Sequence, residues 1–141
     1  MHLFTYGTLQ FEEVWLRVAG VRLPKQPGTL SGFAAYRVQD AEYPGITAEV
    51  EAVTTGTIYY QLDQRILARL DAFEGEDYER QEVSVKCENG ATLPCQTYVI
   101  PPTNRQLLTS EAWTADAFVA SGGLQRFLNR YAGFSRNDGI D

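Results

Sequence analysis

The run "QRILARLDAFEG", Gln64 to Gly75, restricts the fold more than any other stretch. Ile66, Leu67, Leu70 and Phe73 recur at helical spacing, and Asp63 stands where a helix takes its N-cap. A helix with a single apolar stripe has to lay that stripe against another element. Strand-like segments flank it: Thr57–Leu62 before, Tyr78–Cys87 and Leu93–Ile100 after. The helix is thus predicted to sit on a sheet. Helices and strands do not alternate regularly along the chain, and the loop after the first strand has no glycine fingerprint. These features argue against a dinucleotide site.

The remaining segments fit one small α+β domain over residues 1–141. Residues 2–6 read as a short buried strand. "EEVWLRVA", Glu12 to Ala19, reads as a helix carrying Val14, Trp15 and Val18 on one side and ending at Gly20. Pro24, Pro27, Gly28 and Gly32 mark "LPKQPGTLSGF" as loop and turn, and Phe33–Val38 as the strand behind it. "DAEYPGI", Asp40 to Ile46, reads as a turn with a tight bend at Tyr43-Pro44-Gly45. "AEVEAVTTGTIYYQL" alternates polar and apolar residues and is either a hairpin or a bent strand, broken at Thr55-Gly56. Pro101-Pro102 ends the last of these strands. Ser110–Ala120 and Leu124–Tyr131 read as two terminal helices, and the tail "SRNDGID" as frayed. The expected architecture is a small closed or strongly bent mixed β-barrel with one inserted helix and C-terminal helices.

An apolar share of 44% over 141 residues suits a globule with a real core. No apolar run approaches the roughly 20 residues that span a bilayer, so no membrane partner is expected. The start "MHLFTYGTL" lacks the marks of a signal peptide, which makes the cytoplasm the expected location. Net charge is -6 without a basic cluster, which argues against nucleic acid. His2 is the single histidine, and Cys87 and Cys95 have no further ligand-type neighbours, so no metal site is expected. Asn89-Gly90 between the cysteines signals a hairpin. A two-residue loop would set Cys87 against Thr92 and Cys95 against Ser84. An odd-length, bulged turn suits the apolar pattern better, and the thiols would pair in only one such register.

Glu74 breaks the pattern of the middle helix. It follows Leu70 by four residues and Ile66 by eight, so it occupies the place where the stripe calls for a leucine. Burial and the negative end of the helix dipole both disfavour a carboxylate there and raise its pKa, which suits acid–base work near neutrality. The alternative is a helix that frays at Phe73 and leaves all four acids of "EGEDYE" in water. The opening stretch "FTYGTL" poses a second choice. Tyr6-Gly7-Thr8-Leu9 is either a plain strand-to-helix turn or a backbone concavity for a small anion. Tyr78 and Arg80 share one face of the strand just past Glu74.

Taken together, "FTYGTL", "YPGI" near residue 43, "TGTIYYQLD" and "LDAFEGEDYERQEV" resemble the gamma-glutamylcyclotransferase-like superfamily, most closely its gamma-glutamylamine cyclotransferase branch. The resemblance covers roughly residues 3–100. It implies a small β-barrel with helices packed around it, and a cavity bordered by the Y-G-T-L loop and one acid. Carried over, the loop residues that bind substrate are Tyr6, Gly7, Thr8 and Leu9, the catalytic acid/base is Glu74, and Tyr78 is an aromatic residue near the pocket. Arg80 matches a recurrent arginine without an assigned role. The implied reaction closes a gamma-glutamyl amide to 5-oxoproline and releases an amine, with no metal, nucleotide or other cofactor. A small-molecule binding or regulatory module on the same barrel, without turnover, is the alternative. Trp113, Phe118, Phe127 and Tyr131 read as core residues rather than as a docking face.

Overall fold

The computed structural model describes residues 1–131, so the reading of the tail lies outside the described residues. In chain order the elements are β1 (Leu3–Thr5), α1 (Glu12–Ala19), β2 (Lys25–Val38), β3 (Pro44–Tyr59), α2 (Gln64–Glu74), β4 (Glu79–Cys87), β5 (Thr92–Val99), β6 (Leu108–Ala112), α3 (Ala115–Ala120) and α4 (Gly123–Arg130). Short 3-10 turns cover Thr8–Gln10 and Pro102–Leu107. The sheet order is β3-β1-β5-β4-β2-β6, and β3 also pairs with β2. That last pairing closes five strands into a barrel and leaves β6 as an extension beside the second half of β2. The β1–β5 pair is parallel and the others are antiparallel, so the barrel is mixed.

The core divides by strand parity. Phe4, Leu30, Ile46, Ile58, Val85, Cys95 and Val99 form one buried cluster. Their neighbours Leu3 and Tyr59 face the other way and meet α1 and α2 through Val14, Trp15, Val18, Leu67 and Leu70. The Trp15 and Tyr59 rings stack with centroids 3.7 Å apart. Both helices follow their sequence pattern closely. Gly20 closes α1 in the left-handed conformation (φ 79°), and the Asp63 carboxylate accepts from the Ile66 N–H at the start of α2.

Four readings need correction, and each has a long-range cause. "LPKQPGTLSGF" is not a loop, because Lys25 onward already belongs to β2. Pro27 precedes the start of the β4 ladder at Gly28, so its missing N–H interrupts nothing on that side. Gly28 is a packing position: a Cβ there would lie 2.8 Å from the side chains of Ile58 and Val85. Pro44 and Gly45 are likewise strand residues, opposite Arg37 and Tyr36. The hairpin alternative and the break at Thr55-Gly56 do not hold: the stretch is one strand, β3, whose register with β2 shifts between Ser31 and Phe33 and runs unbroken through Gly56. At Gly56 a Cβ would sit 2.1 Å from the Thr5 carbonyl oxygen, so glycine allows β1 to cross closely. Finally, Ser110–Ala120 is not one helix. Leu108–Ala112 pairs with β2, and α3 starts only after Thr114, whose hydroxyl accepts from Ala117 N–H.

The Asn89-Gly90 turn takes the odd register. Val83 faces Cys95, Val85 faces Leu93, and the Cys87 N–H bonds the Ala91 carbonyl. Gly90 supplies the left-handed residue (φ 89°). Cys87 and Cys95 are both free thiols. Among the described residues, no helix is long and apolar enough to cross a membrane.

Candidate active site

A cavity of about 490 Å³ lies between the end of β1, the last turn of α2 and α4. Glu74 is the final residue of α2. Gly75 (φ 83°) ends the helix there, its N–H bonding the Asp71 carbonyl. The bend divides the acidic run "EGEDYE": Glu74 is half-buried and faces the cavity, whereas Glu76, Asp77 and Glu79 are exposed. Although cavity-facing, the Glu74 carboxyl group is stripped of most of its water, and burial pushes its pKa up to about 8. Among the described residues it has no hydrogen-bond or ion-pair partner.

Tyr6, Gly7, Thr8 and Leu9 line the same cavity. The Gln10 side chain donates to the carbonyls of Tyr6 (2.6 Å) and Gly7 (3.3 Å), and Tyr59 Oη donates to that of Leu9 (3.0 Å). The loop carbonyls are thus occupied. The N–H groups of Gly7, Thr8 and Leu9 have no acceptor among the described residues, as the opening of a helical turn leaves them. Gly7 has ordinary negative φ (−116°); its role is close packing, since a Cβ would lie 3.0 Å from the Pro44 ring. Leu9 and Tyr6 are also core residues, so the loop is anchored at both ends.

Tyr78 points into the cavity and donates to the Pro44 carbonyl (2.7 Å). Arg80 does not reach the cavity. It forks onto Asp71 (Nε–Oδ1 2.9 Å, Nη2–Oδ2 3.3 Å) and donates to Gln96 Oε1 (3.1 Å). The sequence reading missed Tyr98, which lines the cavity and donates to Asp71 Oδ1 (2.7 Å). One available signal was strand pairing, because Tyr98 is the residue opposite Arg80. Phe127 and Tyr131, read as core, do pack against it, but both also line the cavity, from α4 and from the residue that caps it, with ring centroids 6.2 and 5.2 Å from the Phe73 ring. A second hollow of about 540 Å³ shares Thr8, Tyr43, Phe127 and Tyr131 with the first. Burial raises the pKa of Tyr6, Tyr78 and Tyr98, and the nearby Glu74 charge raises each of them further.

Residues 3–115 match the family described as gamma-glutamyl cyclotransferase, AIG2-like. The chain belongs to this family. AIG2-like protein C of Arabidopsis thaliana is 33% identical over 99 residues, covering 69% of this chain and 57% of that protein. AIG2-like protein A of the same plant is 30% identical over 103 residues, or 70% and 60% of the two chains. The chain therefore spans less than two thirds of the length of these curated relatives. A solution structure from Arabidopsis thaliana superposes with a TM-score of 0.72 at 22% identity, covering 99% of this chain and 87% of that one. A gamma-glutamyl cyclotransferase superposes with a TM-score of 0.60 at 19% identity, over 72% and 66%. These likenesses give the α+β barrel fold. Helix α4, with its two cavity aromatics, lies beyond the matched segment.

Proposed function

We propose that the protein cyclises a gamma-glutamyl amide to 5-oxoproline and releases an amine, with Glu74 moving the protons. One observation carries this reading. A half-buried, cavity-facing carboxyl group, with a pKa pushed by burial up to about 8 and no partner among the described residues, shares a cavity with the Y-G-T-L loop N–H groups, which have no acceptor among those residues, in a chain of this family.

The substrate brings its own nucleophile, the α-amino group, and binds it as an ammonium. Glu74 as carboxylate takes a proton from it. The freed nitrogen attacks the γ-carbonyl carbon, a C–N bond forms, and a five-membered ring closes. The oxygen takes up negative charge, for which the Gly7, Thr8 and Leu9 N–H groups are donors; the α-carboxylate is their other candidate. Collapse breaks the original amide C–N bond as the departing nitrogen is protonated. In total two protons leave the attacking nitrogen and two reach the departing one, each relayed by Glu74, so an ammonium is consumed and an ammonium is released. Holding the chain folded accounts for much of the acceleration, because intramolecular attack in good geometry is worth roughly 7–11 kcal/mol. The leaving amine takes the space toward Phe127, Tyr131 and the second hollow.

The test is incubation with gamma-glutamyl amines and dipeptides, reading 5-oxoproline by mass spectrometry. Glu74→Gln should lower turnover by at least about a hundredfold, the lower end of what an acid–base group contributes, with an unchanged circular dichroism spectrum. Product formation that survives Glu74→Gln would refute the assigned role. Saturable binding of 5-oxoproline by a wild-type protein that turns over none of the panel would favour the binding module instead.

A further inference from the structure

Four ionisable side chains make an unusual arrangement around the cavity. Tyr6, Tyr78 and Tyr98 each feel the charge of Glu74. A tyrosine has one proton to donate, and all three donate it elsewhere. Tyr6 Oη donates to the Tyr98 carbonyl (2.7 Å), Tyr78 Oη to the Pro44 carbonyl (2.7 Å) and Tyr98 Oη to Asp71 Oδ1 (2.7 Å). Two of these acceptors are main-chain carbonyls fixed by the barrel. The third is a side chain, and Arg80 holds it from two sides while Gln96 holds Arg80.

Asp71 precedes Glu74 by three residues on α2, so the two carboxyl groups are neighbours on one helix face, with Cβ atoms about 5–6 Å apart. The Tyr98 hydroxyl that bonds Asp71 is thus within a helical turn of Glu74. A donor reaching Glu74 would favour its charged form and lower its pKa. The remaining ionisable neighbours along this cavity are Asp77 and Tyr43 on the connecting segments, Tyr131 at the C-cap of α4 and Arg80 on β4 behind Asp71.

We propose that Asp71, clamped by Arg80, is a positioning residue that turns the Tyr98 hydroxyl proton away from Glu74 and so keeps the Glu74 carboxyl group without a donor until substrate enters. The role deepens the acid–base reading of Glu74 and also explains Arg80, which the cavity itself does not use. Among the described residues Glu74 then has no donor before the substrate ammonium arrives; the ammonium favours the charged form, the carboxyl proton leaves to solvent, and the resulting carboxylate takes a proton from the amine.

The test is a double-mutant cycle read by carbon-13 NMR titration of the Glu74 side-chain carboxyl, assigned by its loss in Glu74→Gln. The proteins are wild type, Asp71→Ala, Tyr98→Phe and Asp71→Ala/Tyr98→Phe. Alanine suits the exposed helical position of Asp71. Wild type should titrate near 8, and Asp71→Ala about one pH unit lower. Removing the Tyr98 hydroxyl should raise the Glu74 midpoint by about one pH unit when Asp71 is absent, and hardly move it when Asp71 is present. Changes in net charge from losing Asp71 occur in both arms of the cycle and cancel. An equal effect of Tyr98→Phe in both backgrounds, or none in either, overturns the proposal. The titration needs no turnover, so it stands apart from the cyclisation reading. If that reading holds, the rising limb of kcat/KM against pH moves with the NMR midpoint, and if it fails the NMR result still decides the role of Asp71.

Discussion

The two walls of the cavity are built by different forces. The inner wall comes from the barrel: the Y-G-T-L loop, Tyr78 and Tyr98 are held by tyrosine hydroxyls that donate to main-chain carbonyls and by glycines that let strands approach closely. The outer wall is α4. Phe127 and Tyr131 lean on Phe73, and two arginines hold the helix in place. Arg17 donates to the carbonyls of Leu128 (2.7 Å) and Tyr131 (2.8 Å), and Arg126 forks onto Glu42. In the proposed reaction the inner wall would face the part of a gamma-glutamyl amide that is the same in every substrate, and the outer wall the part that varies. Local stability differs accordingly, because a short helix held by side chains opens more readily than a closed barrel.

The sharpest way to break the contrast is to damage the inner wall from outside the cavity. Gly56 does not line it, yet a Cβ there would lie 2.1 Å from the Thr5 carbonyl oxygen and 3.0 Å from the Phe4 ring. The obstacle is backbone, so relief requires β1 and β3 to separate. Gly56→Ala should cost about 3 kcal/mol, the upper part of the range for overpacking, measured by urea unfolding. A cost within experimental error would mean that β1 is not rigidly pinned, and the inner wall would lose its special standing.

A second measurement probes Glu74, the half-buried acid at the cavity. Glu74 titrates near 8 when folded because burial disfavours its charge, and near the ordinary 4.5 when unfolded. The neutral form is therefore the one that folding favours. Its contribution is fully present below about pH 4.5 and is lost as pH rises through 8. Glu74→Gln stays neutral throughout. Relative to that variant, wild type should lose roughly 2–3 kcal/mol between pH 5 and pH 9; each tenfold change in proton affinity is worth about 1.4 kcal/mol, reduced here because the group is only half-buried. Parallel stability curves for the two proteins would place Glu74 in open water.

The same contrast decides what could be read from the chain. Helices α1 and α2 were legible because their signals are local: a stripe, an N-cap at Asp63, terminal glycines at 20 and 75. Glu74 stood out for the same reason, as a carboxylate in an apolar register. The odd turn at Asn89-Gly90 followed from matching two strand patterns. Gly28, Gly45 and Gly56 misled because a glycine needed for close approach looks locally like a glycine needed for a turn. What separates the two is the side chain of Ile58, Ile100 or Phe4, brought from a distant strand. β6 went unread because its partner, the far half of β2, is itself known only once the barrel closes. Tyr98 and the α4 aromatics share that limit: their cavity role exists only where β5, α2 and α4 converge.

The outer wall should respond weakly in stability and more clearly in substrate choice, and its two arginines should differ. Arg17 bonds two carbonyls at the end of α4, where a cation also meets the negative end of the helix. Arg126 meets Glu42 in an exposed pair, and Arg130 stands 3.6 Å from the same carboxylate as a partial replacement. Arg17→Ala should cost about 1.5–2 kcal/mol, the lower end of the range for hydrogen bonds that involve a charged group. Arg126→Ala should cost about 0–1 kcal/mol, and 1 M salt should largely erase its effect. Both should speed amide hydrogen exchange in α4 while leaving β1 and β5 protected. In turnover assays both should raise KM for gamma-glutamyl amides with bulky leaving amines more than for the methylamide, since only the bulky group reaches Phe127 and Tyr131. Equal increases across the series would mean that α4 supports the whole cavity rather than its variable end, and the division of labour between the two walls would fail.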